Sequence, residues 1–321
     1  MTVKNMRTVV LAVALLLAQT VMGGRPKVAL VLSGGGAKGA AEVGALKVIE
    51  RAGIPIDIVV GTSIGSIVGG LYCCGYTPEQ LDTMFRTQEW LSLLTDRNHQ
   101  FANQPYVVHN SVTYIFGFPV MDKNSSSFGM MRGEKIEHLL DSMSGRKKEL
   151  SFDSLCIPFR CVAVDIKSTK EHVLSKGKLS KAMRASMAIP GIFKPVEIGD
   201  LSLVDGGMLN NLPTDVAKRM GADVIIAIDL QQTKQKEKDF SLKDQFGIGG
   251  ILDWIVSRPD VKKYHQNVKL ADIYINPSLP DYDASSFGNK KAERMMLIGE
   301  KAAMKQWDKL MALKQRFLKA L

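Results

Sequence analysis

Two short apolar runs, each ending in glycine and each followed by a helix-forming stretch, constrain this chain more than any other feature. Lys27-Val28-Ala29-Leu30-Val31-Leu32 shows no polar–apolar alternation and runs into Ser33 and three glycines. Ile56–Val60 repeats the arrangement and runs into Gly61-Thr62-Ser63-Ile64-Gly65. A continuous apolar run of this length reads as a strand buried on both faces. Strand, helix, strand, helix then means a parallel sheet covered on both sides. The pattern returns later, with strands expected at Phe159–Ile166, Leu201–Val204, Asp223–Asp229 and Asp272–Asn276. Helices are expected at 37–52, Ser63–Cys74, from Thr77-Pro78, at Lys178–Met187 and at Pro213–Met220. A single long amphipathic helix is expected over 290–320. The fold class is therefore α/β, a three-layer α/β/α sandwich with a mostly parallel central sheet. Residues 95–130 break the rhythm, and Tyr114–Phe118 fits either a strand or a flap. Residues 231–247 read as a polar surface loop.

The N-terminus is set apart. Lys4 and Arg7 precede an apolar run from Thr8 to Ala18, and small residues follow at Gly23 and Gly24. This is the layout of a secretory signal peptide. The run is about half of the ~20 residues that span a bilayer, so residues 1–23 are expected to be a cleaved leader rather than an anchor. Residues 24–321 are then read as one domain that is exported to the periplasm, outer envelope or medium. The formal charge of +10 favours anionic surfaces. The basic residues are scattered, and no nucleic-acid motif accompanies them. The four cysteines, Cys73, Cys74, Cys156 and Cys161, have neither disulfide-framework nor zinc spacing and are expected to be buried free thiols.

Three glycine-marked sites carry the chemistry. Gly34-Gly35-Gly36-Ala37-Lys38-Gly39 follows a strand and opens a helix, which fits a dinucleotide fingerprint. A dinucleotide site also needs an acid at the end of the second strand, and that strand ends Val59-Val60-Gly61-Thr62-Ser63 without one. A phosphate loop needs Lys followed by Ser or Thr, whereas Lys38 precedes Gly39. What remains is a row of backbone amides at a helix start, suited to an anion such as a transient oxyanion. Gly61-Thr62-Ser63-Ile64-Gly65 is G-x-S-x-G between strand and helix, the setting of a nucleophile elbow, with Ser63 as nucleophile. The elbow needs a base. Of five histidines only His265 lies late in the chain, in a polar helical stretch without a turn signal. Leu203-Val204-Asp205-Gly206-Gly207 offers another kind of base, an acid at a strand end before two glycines. Asp205 could take the serine proton directly if burial raised its pKa.

These motifs in this order resemble the patatin-like phospholipase family, which is related to the catalytic domain of cytosolic phospholipase A2. Arg184-Ala185-Ser186-Met187-Ala188-Ile189-Pro190 and Asn210-Asn211-Leu212-Pro213 resemble the family's segments on either side of its catalytic aspartate. The resemblance implies a Ser63–Asp205 dyad without histidine and an acyl-enzyme. It implies an oxyanion hole from Gly34, Gly35 and Gly36, joined by the amide of Ile64. Lys38, Gly39, Gly61, Gly65, Gly206 and Gly207 support the motifs. It implies no metal and no cofactor. The substrate would be a phospholipid or another acyl-ester lipid met at a peripheral membrane surface. A general carboxylesterase or thioesterase with the same dyad is the alternative, and a nucleotide-binding module using the glycine loop is a distant one.

Overall fold

The computed structural model describes residues 25–122, 131–145, 149–231 and 261–320. The expected leader, the polar loop beyond Gln231 and residues 123–130 lie outside the described residues. An eight-stranded sheet forms the centre. Five strands run parallel in the order β7 (Phe159–Asp165), β2 (Ile58–Thr62), β1 (Val28–Leu32), β12 (Val224–Ile228) and β13 (Ile273–Ile275). The parallel pattern stops at β7. There β8 (Lys170–Leu174) and β11 (Leu201–Asp205) pair antiparallel, and β10 (Val196–Ile198) extends β11. The sheet is thus parallel-dominated with an antiparallel end that the apolar runs alone did not announce.

Alternate residues of each strand face different layers. Val28, Leu30 and Leu32 meet the larger core, formed with α1 (Ala40–Ala52), α2 (Ile64–Cys73), α3 (Pro78–Thr87) and the later helices. Ala29 and Val31 face a smaller core under Val216, Ala217 and Val268. The smaller core is covered by the short helices Thr214–Arg219 and Val261–Lys269. The expected start of α3 is present in full: Thr77 and Gln80 cap each other reciprocally, with Pro78 in the first turn.

The structure alters some expectations and decides one that was open. The helix over 290–320 is two helices, Asn289–Met304 and Trp307–Ala320. No proline or glycine breaks it at Lys305-Gln306. The first helix lies along α1 so closely that Gly44 and Gly299 meet the opposing backbone directly. The second keeps Leu310, Leu313 and Phe317 on the core. The stretch Tyr114–Phe118 belongs to a three-stranded antiparallel sheet of β3 (Val107–His109), β4 (Val112–Ile115) and β5 (Phe118–Asp122). Its two tight turns hold Asn110, Ser111, Phe116 and Gly117 at positive φ, the geometry that two-residue hairpins favour. Two-residue strands β6 (Leu150–Ser151) and β9 (Lys176–Gly177) complete the set. All four cysteines are free, and Cys156 is exposed rather than buried because it sits in the loop before β7.

Candidate active site

Ser63 stands at the end of β2 with φ 54° and ψ −123°. This conformation is strained for a residue with a side chain, and the surroundings enforce it. A Cβ on Gly61 would strike the Gly65 carbonyl, and one on Gly65 would strike the carbonyls of Leu32 and Ser33. Only glycine on both sides lets the first turn of α2 fold back this tightly. Side chains hold the bend. The Ser63 N–H donates to Ser186 Oγ at 2.9 Å, which donates in turn to the Val162 carbonyl at 2.6 Å. Ser66 Oγ donates to the Ser63 carbonyl at 2.6 Å.

Asp205 arrives from the opposite direction. β8 occupies one edge of β7 along Cys161–Asp165, so β2 and β11 must share the other. β2 runs parallel to β7 and ends with Thr62 opposite Val162, while β11 runs antiparallel and ends with Asp205 opposite Ala163. The two strand ends therefore abut. Ser63 Oγ donates to Asp205 Oδ2 at 2.6 Å across 142 residues of sequence. The other carboxylate oxygen accepts the Gly207 N–H at 2.7 Å, and a Cβ on Gly206 would collide with the Val162 carbonyl. Burial pushes the Asp205 pKa up to about 6, against the opposing pull of its bonds from Ser63 and Gly207. No histidine bonds to either residue, and His265 is exposed on its helix.

The glycine loop touches the pair: a Cβ on Gly34 would lie 3.0 Å from Ser63 Cβ. Its expected donors are not equivalent. The Gly34 N–H is already engaged by Asn211, at 3.1 Å to Oδ1 and 3.3 Å to the carbonyl oxygen. It is therefore withdrawn from the expected oxyanion hole. The amides of Gly35, Gly36 and Ile64 donate to no backbone carbonyl among the described residues. Lys38 is buried in the tight turn Gly36–Gly39, and Gly39 packs against Ile64. Behind the loop, buried Asp229 accepts the hydroxyls of Tyr264 and Tyr274. Burial holds its pKa above the usual carboxylate range. Among the described residues no cluster of His, Cys, Asp or Glu is arranged to hold a metal ion.

Ser63 opens onto a cavity of about 800 Å³, mouth included. Gly36 and Ile64 line it beside the serine. Trp90, Leu94, Met131, Ile192, Phe193 and Phe287 form most of its wall, and among the described residues no charged side chain lines it. Trp90 stacks on Phe287 at 5.6 Å. Arg184 props the wall from behind, donating to the Arg132 carbonyl at 2.7 Å and lying 4.6 Å over the Phe193 ring. Sequence reading assigned no role to Ser186, Ser66, Asn211 or any wall residue. Ser186 and Asn211 do fall inside the two stretches that resemble the family around Asp205.

A family model described as Patatin-like phospholipase matches residues 30–218, a span that holds the glycine loop, Ser63 and Asp205. The chain belongs to the patatin-like phospholipase family. Patatin-like phospholipase domain-containing protein 6 of Mus musculus is 35% identical over 230 residues, which is 71% of this chain and 15% of that protein. An NTE family protein of Mycobacterium bovis is 32% identical over 205 residues, 64% of this chain and 49% of its own length. This patatin-like chain thus spans less than half of either relative. Among solved structures, VipD from Legionella pneumophila superposes with a TM-score of 0.53 at 15% identity, over 89% of this chain and 67% of VipD. That likeness speaks for the patatin-like α/β fold.

Proposed function

We propose that this protein is a lipid acyl hydrolase that cleaves carboxylic esters through Ser63 and Asp205. The observation that carries the reading is the 2.6 Å Ser63–Asp205 hydrogen bond at the mouth of an apolar cavity. Asp205 Oδ2 accepts the hydroxyl proton as Ser63 Oγ adds to the ester carbonyl carbon. The carbonyl oxygen takes the negative charge, and the amides of Gly35, Gly36 and Ile64 receive it. Such donors act strongly because they are fixed before the reaction and shielded from water. The tetrahedral centre collapses, the alcohol leaves with the proton from Asp205, and an acyl-enzyme remains. Water then gives its proton to Asp205 and adds to the acyl carbon. Collapse releases the acid and returns the proton to Ser63.

The cavity suits an acyl chain, and its described lining supplies no cation for a head group. This favours phospholipids bound by their tails, and it equally favours the second reading, a general carboxylesterase or thioesterase. Of the described lining residues only Ser63, Thr95 and Ser285 are polar, which offers a nucleotide little. Export through the basic–apolar segment of residues 1–23, and action at a peripheral membrane surface, complete the proposal.

A fluorophosphonate probe tests the nucleophile. It is expected to label the wild type and not Ser63→Ala, and Ser63→Ala and Asp205→Asn are each expected to lose at least ~10³-fold in ester hydrolysis. A wild-type rate in Ser63→Ala would sink the assignment. A panel of phospholipid, lysophospholipid, simple ester and thioester substrates separates the two readings.

A further inference from the structure

Asn211 bridges the first and third motifs of the site, and Asn210 beside it reaches the second. Its side chain is buried and makes a reciprocal pair with the main chain of Gly34. The Gly34 N–H donates to Asn211 Oδ1 at 3.1 Å, and Asn211 Nδ2 donates to the Gly34 carbonyl at 3.3 Å. The same Oδ1 lies where a Cβ on Gly207 would come within 2.9 Å of it. Gly207 is the residue whose amide holds Asp205. One residue earlier, the Asn210 carbonyl accepts the hydroxyl of Thr62, the neighbour of Ser63, at 2.9 Å. The segment is itself braced: buried Asn267 donates through Nδ2 to Asn210 Oδ1 and to the Leu212 carbonyl, each at 2.9 Å.

Peptide geometry turns this clamp into a device for aiming. A peptide unit is planar and trans, so a carbonyl and the N–H that follows it point in opposite directions. Drawing the Gly34 carbonyl onto Asn211 Nδ2 therefore turns the Gly35 N–H away from Asn211. That N–H is one of the amides left without a backbone acceptor. Glycine has no Cβ to fix the plane by sterics, so a run of three glycines needs an outside partner to hold it. Resting on the Ser63–Asp205 reading, we propose that Asn211 is a positioning residue for the oxyanion hole: its carboxamide fixes the Gly34–Gly35 peptide plane and aims the Gly35 N–H at the oxygen of the carbonyl attacked by Ser63.

Asn211→Asp is the deciding variant. It keeps the shape and the acceptor for the Gly34 N–H, but it replaces the donor with an oxygen facing the Gly34 carbonyl. Asn211→Ala removes both side-chain bonds and leaves the Gly34 N–H bonded to the main-chain carbonyl of residue 211. Each is assayed on p-nitrophenyl butyrate, with active sites counted by fluorophosphonate at saturation and folding checked by thermal melting. A misaimed donor is expected to lower kcat per labelled site by ~10–10²-fold in the Asp variant. The KM should stay within about threefold, since the interaction is made in the transition state. Affinity for a trifluoromethyl ketone, whose hemiketal oxyanion fills the hole, should fall by the same factor as kcat/KM. In Asn211→Ala, which adds no charge beside Asp205, the acid limb of the pH profile should stay where it is. A purely structural Asn211 gives fewer labelled sites and a lower melting temperature with unchanged kcat per site, and that result overturns the proposal. Should the Ala variant fail to fold, the isosteric Asp variant decides alone. Ser63→Ala is run alongside; activity surviving there brings down the dyad reading, and this inference with it.

Discussion

On the proposed mechanism Asp205 must be ionised to accept the proton of Ser63, and its burial opposes ionisation. With a pKa of about 6, kcat/KM on a short ester is expected to rise tenfold per pH unit below that value and to level above it. A plateau extending down to pH 4 would show that burial does not raise the Asp205 carboxyl in the free protein. The same shift makes a stability prediction of definite sign. A carboxyl whose pKa is raised on folding destabilises the native state as pH climbs through the unfolded value of about 4 toward 6. Asp205→Asn should therefore be inactive yet at least as stable as wild type at pH 7.5. Its advantage should shrink toward pH 4, as read from melting curves. Glu42 is a second such case. It is fully buried with neither carboxylate oxygen bonded, and the nearby Ser33 amide is committed to Ile228. Burial drives its pKa well up. Ser63 and Asp205 were legible in the sequence because glycines flag the strand ends that carry them. Which glycine amide is spent internally was not legible, since the acceptor for Gly34 lies 177 residues away.

At the scale of elements, the elbow and the helix pair depend on the absence of side chains. Gly65→Ala would drive a methyl into the carbonyls of Leu32 and Ser33, which shifts α2 and Ser63 together. Gly299→Ala is a cleaner measurement. Alanine gains about 1 kcal/mol of helix propensity over glycine, whereas overpacking a tight contact costs ~1–3 kcal/mol. The methyl at Gly299 would land on the Ala41 carbonyl, a backbone atom that cannot swing aside. The steric cost should win, and the melting temperature should fall by several degrees with little change in kcat. A rise would mean the two helices have slack between them. The parallel strands and the α3 cap were readable because periodicity and capping are local signals. The antiparallel end of the sheet and the break at Lys305-Gln306 were not. Each is set by what the segment packs against.

At the scale of the molecule, the cavity wall gathers residues from α2, from the helix Trp90–Thr95, from Met131, from Met187–Phe193 and from Ala284–Phe287. Several of these lie in irregular segments, which is why composition and pattern gave the layered fold and not the pocket. An apolar cavity rewards each buried methylene by about 0.8 kcal/mol, or roughly fourfold in kcat/KM. Activity on p-nitrophenyl esters should therefore climb with acyl length until the cavity is full. Leu94→Trp, at a half-buried wall position, should bring that limit to a shorter chain while sparing the acetyl ester. An unchanged length profile would place the acyl chain elsewhere. One further consequence lies in the strand that both reacting residues abut. Since β2 and β11 stop at neighbouring positions on the same rail, that rail works as a ruler. Chain inserted between the serine and the aspartate lengthens a loop and leaves unaltered the gap a proton must cross. A register slip of two residues in β11 would open that gap by ~6–7 Å and, on the proposed mechanism, abolish ester hydrolysis without unfolding the chain.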